Sequence, residues 1–453
     1  MSLNTASQHL PIYIIGAGIA GLACANQLQQ NGLQSIILEA RDRIGGRIHT
    51  MDAKNFYYDL GASWIHGIEQ NPIWKITQQY HIDTQVFNYD VSQFYHANGE
   101  CFSQTEQDYF EHCISQIMQQ LSYSSHPIAA DAIAEILSHV TDHSSPFPAQ
   151  QLTTLLNAYF QYYANDPFAT ELTQLSTYFH QYEGYFSGDE VIFPQGYQQL
   201  ITPLSTGLDI RTNVTVQSIT LHDQHIQITD QNQQSYFAAK VIIAAPLGIL
   251  KQQDIDFNPN LPQGYLDAIQ KLGYGSFNKV YLSFKSPLVF KNDSNHQTIS
   301  HFFWAKQQWI NVLDLSDSYH QPTYLLLFGG QRAEWIDHHD DDAILQWLAA
   351  ALQQSVDFSQ QPTQMIVTRW GADPLSKGSF SYPAPQHHRR LIQQLNTPLQ
   401  QRLFFTGEHC SEDYAGTVHG AYLAGQATAQ QINHLIDSTL LAERHESDAM
   451  LDK

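Results

Sequence analysis

The stretch Ile12-Tyr13-Ile14-Ile15-Gly16-Ala17-Gly18-Ile19-Ala20-Gly21 decides how the rest of the chain is read. Four consecutive apolar residues predict a short strand buried on both faces. Gly16, Gly18 and Gly21 complete a G-x-G-x-x-G turn, and an apolar helical pattern follows at once. The three glycines meet three needs: a tight turn, close approach of backbone to a pyrophosphate, and close packing of helix on strand. The helix N-terminus, with the Ile19 and Ala20 amides, offers free N–H groups and a positive dipole end to phosphate. A second strand over 35–39 ends in Glu39, eighteen residues beyond Gly21. An acid there accepts hydrogen bonds from an adenosine ribose. Strand, turn, helix, strand and acid in that order predict a dinucleotide-binding unit.

Size and charge bound the remainder. The 453 residues allow two or three domains with full cores. The net charge of −22 disfavours nucleic acid and anionic membranes and suits a cationic small molecule drawn in by long-range steering. Cys24, Cys101, Cys113 and Cys410 form no C-x-x-C pair, so free thiols in a reducing compartment are expected. No secretory pattern precedes the first strand, and the apolar stretch 12–25 is too short to span a bilayer. The expected location is cytoplasmic. The histidine pairs at 338–339 and 387–388 lack helical metal-site spacing, so no metal is expected.

Periodicity orders the rest. Helical patterns cover 105–139 and 151–182, separated by a loop over 141–148. Strand candidates lie at 208–211, 214–219, 226–229 and 241–245. Val280, Leu282 and Phe284 alternate with Lys279, Tyr281 and Ser283, and an apolar run covers 324–328. Helices are expected over 343–352 and from 389, a strand over 403–406, and a last helix over 417–436. Cofactor elements therefore sit at both ends of the chain. The expectation is an α/β fold with a discontinuous Rossmann-like domain (1–80, 188–275, 391–440) interleaved with a mixed-sheet-plus-helices substrate domain (81–187, 276–390). A charged, disordered tail is expected over 441–453.

The run Glu39-Ala40-Arg41-Asp42-Arg43-Ile44-Gly45-Gly46-Arg47 resembles that of the flavin amine oxidases, where a second glycine pair and an arginine hold the far side of FAD. Three further blocks extend the resemblance over 12–436, nearest to the polyamine oxidases within the family of monoamine oxidases and lysine-specific histone demethylases. They are Gly61-Ala62-Ser63-Trp64-Ile65-His66-Gly67, Phe277-Asn278-Lys279-Val280, and Phe405-Thr406-Gly407-Glu408-His409 with Thr417-Val418-His419-Gly420-Ala421.

The resemblance implies roles. Lys279 matches a lysine that holds a water near flavin N5. Phe380 matches one wall of an aromatic cage, while Thr417 stands where several relatives carry the opposite aromatic wall, implying a wider channel. Trp370 matches a tryptophan packed near the flavin, and His66 a histidine at the channel mouth. Ser379 replaces the cysteine that binds FAD covalently in monoamine oxidases, so non-covalent FAD is expected. Gly407, Glu408 and Val418 match residues around the ribityl chain and flavin ring, and Val216 a valine whose backbone contacts adenine. Asp166, Glu183, Asp189 and Glu190 are candidate partners for substrate ammonium groups.

The implied reaction is FAD-dependent oxidation of a polyamine C–N bond by hydride transfer to N5. It yields an imine that hydrolyses to aldehyde and amine, with O2 reduced to H2O2. The alternatives are an amino-acid oxidase, which needs an arginine clamp that Arg211, Arg332, Arg389 and Arg390 do not supply by motif, a monoamine oxidase, or a flavin-binding protein without this activity.

Overall fold

The computed structural model describes residues 10–54, 56–87, 89, 91–139, 144–179, 184–290, 298–385 and 388–451, with backbone alone at 388 and 439–451. Glu183, the end of the 151–182 pattern and part of the 141–148 loop lie outside the described residues.

The opening strand Ile12–Ile15 is the centre of a five-stranded, all-parallel sheet. The order across that sheet is Leu403–Phe405, Lys240–Ile243, Ile12–Ile15, Ser35–Leu38, Asp209–Arg211. Alternate side chains of the central strand enter two different cores. Tyr13 and Ile15 join one built with Ile243 and Phe405, and Ile12 and Ile14 join another with Leu22, Leu28 and Ile242. A parallel strand covered on both faces needs that continuous apolar run. All five strands lie within 1–80, 188–275 and 391–440. A four-stranded sheet beside them contains Ser235–Ala238, a strand without a sequence expectation.

The second layer is a six-stranded sheet in the order Gln364–Val367, Phe277–Ser283, Thr323–Gly329, Gln308–Asp314, Ser300–Ala305, Ser92–Tyr95. Val280, Leu282, Val312 and Leu326 pack one face against the helices Gly330–Asp337 and Asp341–Leu352. Tyr281, Leu313 and Leu325 pack the other. Lys279, between Asn278 and Val280, shares that second face by strand alternation. Three helices, Gln104–Leu121, Ala129–Ser138 and Ala149–Asn165, build a further core with Phe94 and Trp309 of this sheet.

Three boundaries differ from the periodicity. The 105–139 pattern is two helices, broken by a turn that contains Pro127. The next helix stops at Asn165, because Pro167 has no N–H to extend it. The last helix runs Val418–Leu451, through the stretch expected to be disordered. No glycine or proline follows Gly425 to stop it.

Candidate active site

A cavity of about 1440 Å³ runs between the two layers. Its nucleotide end is made mostly of backbone. Gly16 turns the chain at φ +110°, a conformation open to glycine, and its N–H donates to Leu38 O at 2.8 Å. Gly18 caps the helix Ile19–Gln30 without a side-chain bond, and Leu22 N–H is the first to find an intrahelical acceptor, Gly18 O at 3.0 Å. The N–H groups at the head of the helix therefore stay free for a ligand. Gly21 lies off the cavity wall, and a Cβ there would collide with the Gly16 carbonyl, so its task is packing. Glu39 accepts from Ala17 N–H at 2.7 Å and Arg41 N–H at 2.9 Å, which fixes its carboxylate at the cavity wall. Ala40, Arg41, Gly45, Gly46 and Val216 line the same end, with Arg41 paired to Asp373 at 2.7 Å.

Farther in, Arg47 donates to Glu408 Oε1 at 2.8 Å and to Ser379 O at 2.7 Å. Glu408 also accepts from Ser381 N–H, the Ser381 hydroxyl and Gly416 N–H at 3.2, 2.5 and 2.9 Å. Burial, the largest single influence, would raise this carboxyl, but Arg47, His409 and the Ser381 hydrogen bond together outweigh it and hold the carboxyl below the usual range. Ser379 is fully engaged with backbone: its hydroxyl donates to Phe277 O at 2.9 Å and accepts from Phe277 N–H at 2.8 Å.

At the middle of the cavity stands Lys279, 3% exposed. Its ammonium donates to Asp59 O at 2.9 Å, Gly61 O at 2.6 Å and the Ser63 hydroxyl, and lies 5.1 Å from the Trp64 ring centre. The strand thereby pins the Asp59–Ser63 turn to the cavity wall. Burial pushes the Lys279 amine well down, and Asp59 opposes the shift. Gly61, Ala62, Ser63 and Trp64 line the cavity here. Trp370 is held by its indole N–H to Leu60 O at 2.8 Å. Phe380 packs on Phe277 with ring centres 5.6 Å apart. Gly407 and Val418 complete this wall. Thr417 also lines it, but its hydroxyl donates to Tyr414 O at 2.8 Å and accepts from Gly420 N–H at 2.9 Å, so it caps the last helix.

Beyond Lys279 the cavity continues between the helix Ala149–Asn165 and the six-stranded sheet. Asp166 and Glu190 line this arm; Asp189 does not. The Tyr162 hydroxyl donates to Asp166 Oδ2 at 3.0 Å, and burial pushes the Asp166 carboxyl up to about 6 against the lowering effects of Tyr162 and His66. His66 is exposed at the mouth, with Nδ1 3.2 Å from Glu190 Oε2. Among the described residues, Lys279, Arg41 and Arg47 are the only lysines and arginines on the cavity wall.

Residues 19–433 match the family described as flavin containing amine oxidoreductase. The chain belongs to that family. The oxidase is 30% identical to Polyamine oxidase 2 of Arabidopsis thaliana over 442 residues, covering 92% of this chain and 87% of that protein. It is 28% identical to Polyamine oxidase 3 of Oryza sativa subsp. japonica, covering 92% and 88%. It is also 28% identical to Lysine-specific histone demethylase 2 of Homo sapiens, spanning 93% of this chain but 53% of that protein. Among solved structures, a double mutant of putrescine oxidase with redesigned cofactor binding superposes with a TM-score of 0.73 at 18% identity, over 93% of this chain and 98% of that one. This likeness shows the amine oxidase fold.

The residues of this flavin amine oxidase fit FAD. Two helix N-termini, at Ile19 and Val418, open on one cavity that Lys279 and Trp370 also line, the first beside a fixed carboxylate suited to ribose hydroxyls. No helix among the described residues is long and apolar enough to cross a membrane.

Tyr414, Tyr162, Tyr89 and Asn311, all on the cavity wall, had no place among the sequence expectations. Tyr414 stacks on Phe186 with ring centres 5.0 Å apart and planes 7° off parallel, and supplies an aromatic surface near Thr417. Asn311 did carry a signal: it is the one polar residue in the apolar run 309–313.

Proposed function

We propose that the enzyme oxidises a C–N bond of a polyamine to an imine, which water hydrolyses to an aldehyde and a shorter amine. One observation carries the reading: the arm beyond Lys279 presents Asp166 and Glu190 with no lysine or arginine among the described residues beside them. A half-buried carboxylate without a cation is disfavoured, as the raised Asp166 carboxyl shows, and a second ammonium group on the substrate would supply one. Glu39, the Ile19 and Val418 helix termini and the Arg47–Glu408 pair would hold FAD non-covalently, and when bound it would supply the electron sink and the route of electrons to O2, with H2O2 as product.

The protein's own part is orientation, dryness and proton control. Phe380, Trp370 and Tyr414 wall the reacting amine in apolar surroundings, which lowers its affinity for a proton and favours the neutral form that oxidation needs. Lys279 stands on the cavity wall with its three N–H donors on Asp59 O, Gly61 O and the Ser63 hydroxyl, so a water at the reacting end needs one of these bonds to give way or a deprotonated amine to accept its hydrogen. Its amine is depressed by burial, so it exchanges protons more readily than a surface lysine. His66 and Glu190 form a polar mouth through which a cation enters. The amino-acid oxidase alternative needs an arginine for the carboxylate, and the two arginines on the wall are engaged with Asp373 and Glu408.

Peroxide release measured with spermine, spermidine, their acetylated forms, tyramine and an amino acid tests the reading. Turnover of at least one polyamine with kcat/KM well above that of tyramine is expected. Turnover of tyramine or the amino acid alone would overturn it.

A further inference from the structure

Behind Asp166 stands a row of side chains that the reaction above does not use. Ser300 Oγ donates to Asn311 Oδ1 at 3.0 Å, Asn311 Nδ2 donates to the Tyr162 oxygen at 3.1 Å, and the Tyr162 hydroxyl donates to Asp166 Oδ2 at 3.0 Å. Ser300 and Asn311 come from neighbouring antiparallel strands and are both buried. Tyr162 lies in the last turn of the helix Ala149–Asn165, and Asp166 is its C-cap. All four line the substrate arm.

The order of donors matters. An asparagine amide has a donor end and an acceptor end. With the Ser300 hydroxyl filling Oδ1, the NH2 end faces Tyr162, and the phenol that accepts this bond sends its own hydrogen to Asp166. Every hydrogen in the row therefore points towards the carboxylate. Bonds in such a chain polarise and strengthen one another. The row solvates one carboxylate oxygen from the sheet side while adding no positive charge. We propose that Asn311, oriented by Ser300, is a positioning residue that fixes Tyr162 as the donor to Asp166 and so presents the second Asp166 oxygen to the cationic end of an amine in the arm. The identity of that cation rests on the polyamine reading.

The other titratable groups around Asp166 are Tyr159 on the helix that Asp166 caps, and Tyr89, His66, Glu190 and Glu111, which line the same cavity from other segments. His66 is the one among these that becomes positive when protonated. Tyr162 is the one whose hydrogen bond lowers the Asp166 carboxyl. Removing the row should therefore let burial raise that carboxyl further.

Two readouts on the full-length, FAD-loaded enzyme test this. Infrared difference titration follows the Asp166 carboxyl, assigned by its absence in Asp166→Asn. Steady-state kinetics with spermidine gives KM and kcat separately. Tyr162→Phe and Asn311→Leu are expected to move the titration to higher pH and raise KM about tenfold, with kcat within about twofold. In the Asp166→Asn background the same substitutions should leave KM unchanged within about twofold. Ser300→Ala should act in the same direction more weakly, and serves if Asn311→Leu fails to fold. An unmoved titration, or an equal KM effect with and without Asp166, would overturn the proposal. A moved titration in an enzyme that oxidises no polyamine would uphold the row and reject the polyamine reading.

Discussion

Two carboxylates on the cavity wall, Glu408 buried and Asp166 half-buried, are solved in opposite ways. Glu408 has Arg47 at 2.8 Å and three further donors, a complete electrostatic unit before any ligand arrives. Asp166 has a phenol at 3.0 Å and, among the described residues, no lysine or arginine. One carboxyl is held below its ordinary range and the other is pushed up to about 6. The Glu408 unit is completed within the fold, and under the polyamine reading Asp166 is the group left for a cation from outside.

The largest expected effect falls on stability. Glu408→Gln leaves Arg47 without its charge partner and should cost about 3 kcal/mol, with weakened flavin retention, read by denaturant unfolding of the loaded enzyme. Asp166→Asn should cost nothing near pH 7 and should stabilise slightly, since no internal ion pair is lost and a charge that opposes folding there is removed. Equal losses would erase the distinction. Next comes Lys279→Met, expected to lower kcat by about a hundredfold, the range of a positioned proton-handling group. Asp166→Asn should raise KM for spermidine about tenfold and leave a monoamine unaffected, by steady-state assay.

The smallest effect is in pH dependence, with opposite signs at the two sites. The raised Asp166 carboxyl takes up its proton in the native state first, so its own contribution favours folding as pH falls from about 6 towards 4. The lowered Glu408 carboxyl contributes stability above the usual carboxylate range, lost as pH falls through its lowered value. Unfolding of each variant against pH should show Asp166→Asn losing any advantage below pH 6, and Glu408→Gln narrowing its deficit only under more acid conditions. The acid limb of kcat/KM should fall near pH 6 and vanish in Asp166→Asn.

How far each end could be read from sequence follows the same divide. The nucleotide end is built by backbone and glycine within 12–47, where local spacing is the structure, so turn, helix head and Glu39 were all legible. Strand alternation set the face of Lys279, but only the family resemblance singled it out from an ordinary surface lysine. The substrate arm is assembled from residues far apart in the chain, Tyr89, Tyr162, Ser300, Asn311 and Tyr414. A tyrosine on a helix reads as core in a chain with 24 of them. Their meeting depends on how three helices cover a six-stranded sheet, which no local pattern encodes. The helix ends at Leu121 and Asn165 were missed because apolar spacing outlasts the helix, although Pro127 and Pro167 mark the stops.

Recruitment of a second positive charge of the substrate by the arm beyond Lys279 is tested most directly by anaerobic single-turnover mixing. The oxidised-flavin absorbance is followed after addition of spermidine or tyramine to wild type and Asp166→Asn. Spermidine is expected to reduce the wild-type flavin at concentrations where tyramine does not, and this preference to fall about tenfold in Asp166→Asn. Reduction by tyramine as readily as by spermidine, or a preference unchanged in Asp166→Asn, would contradict it.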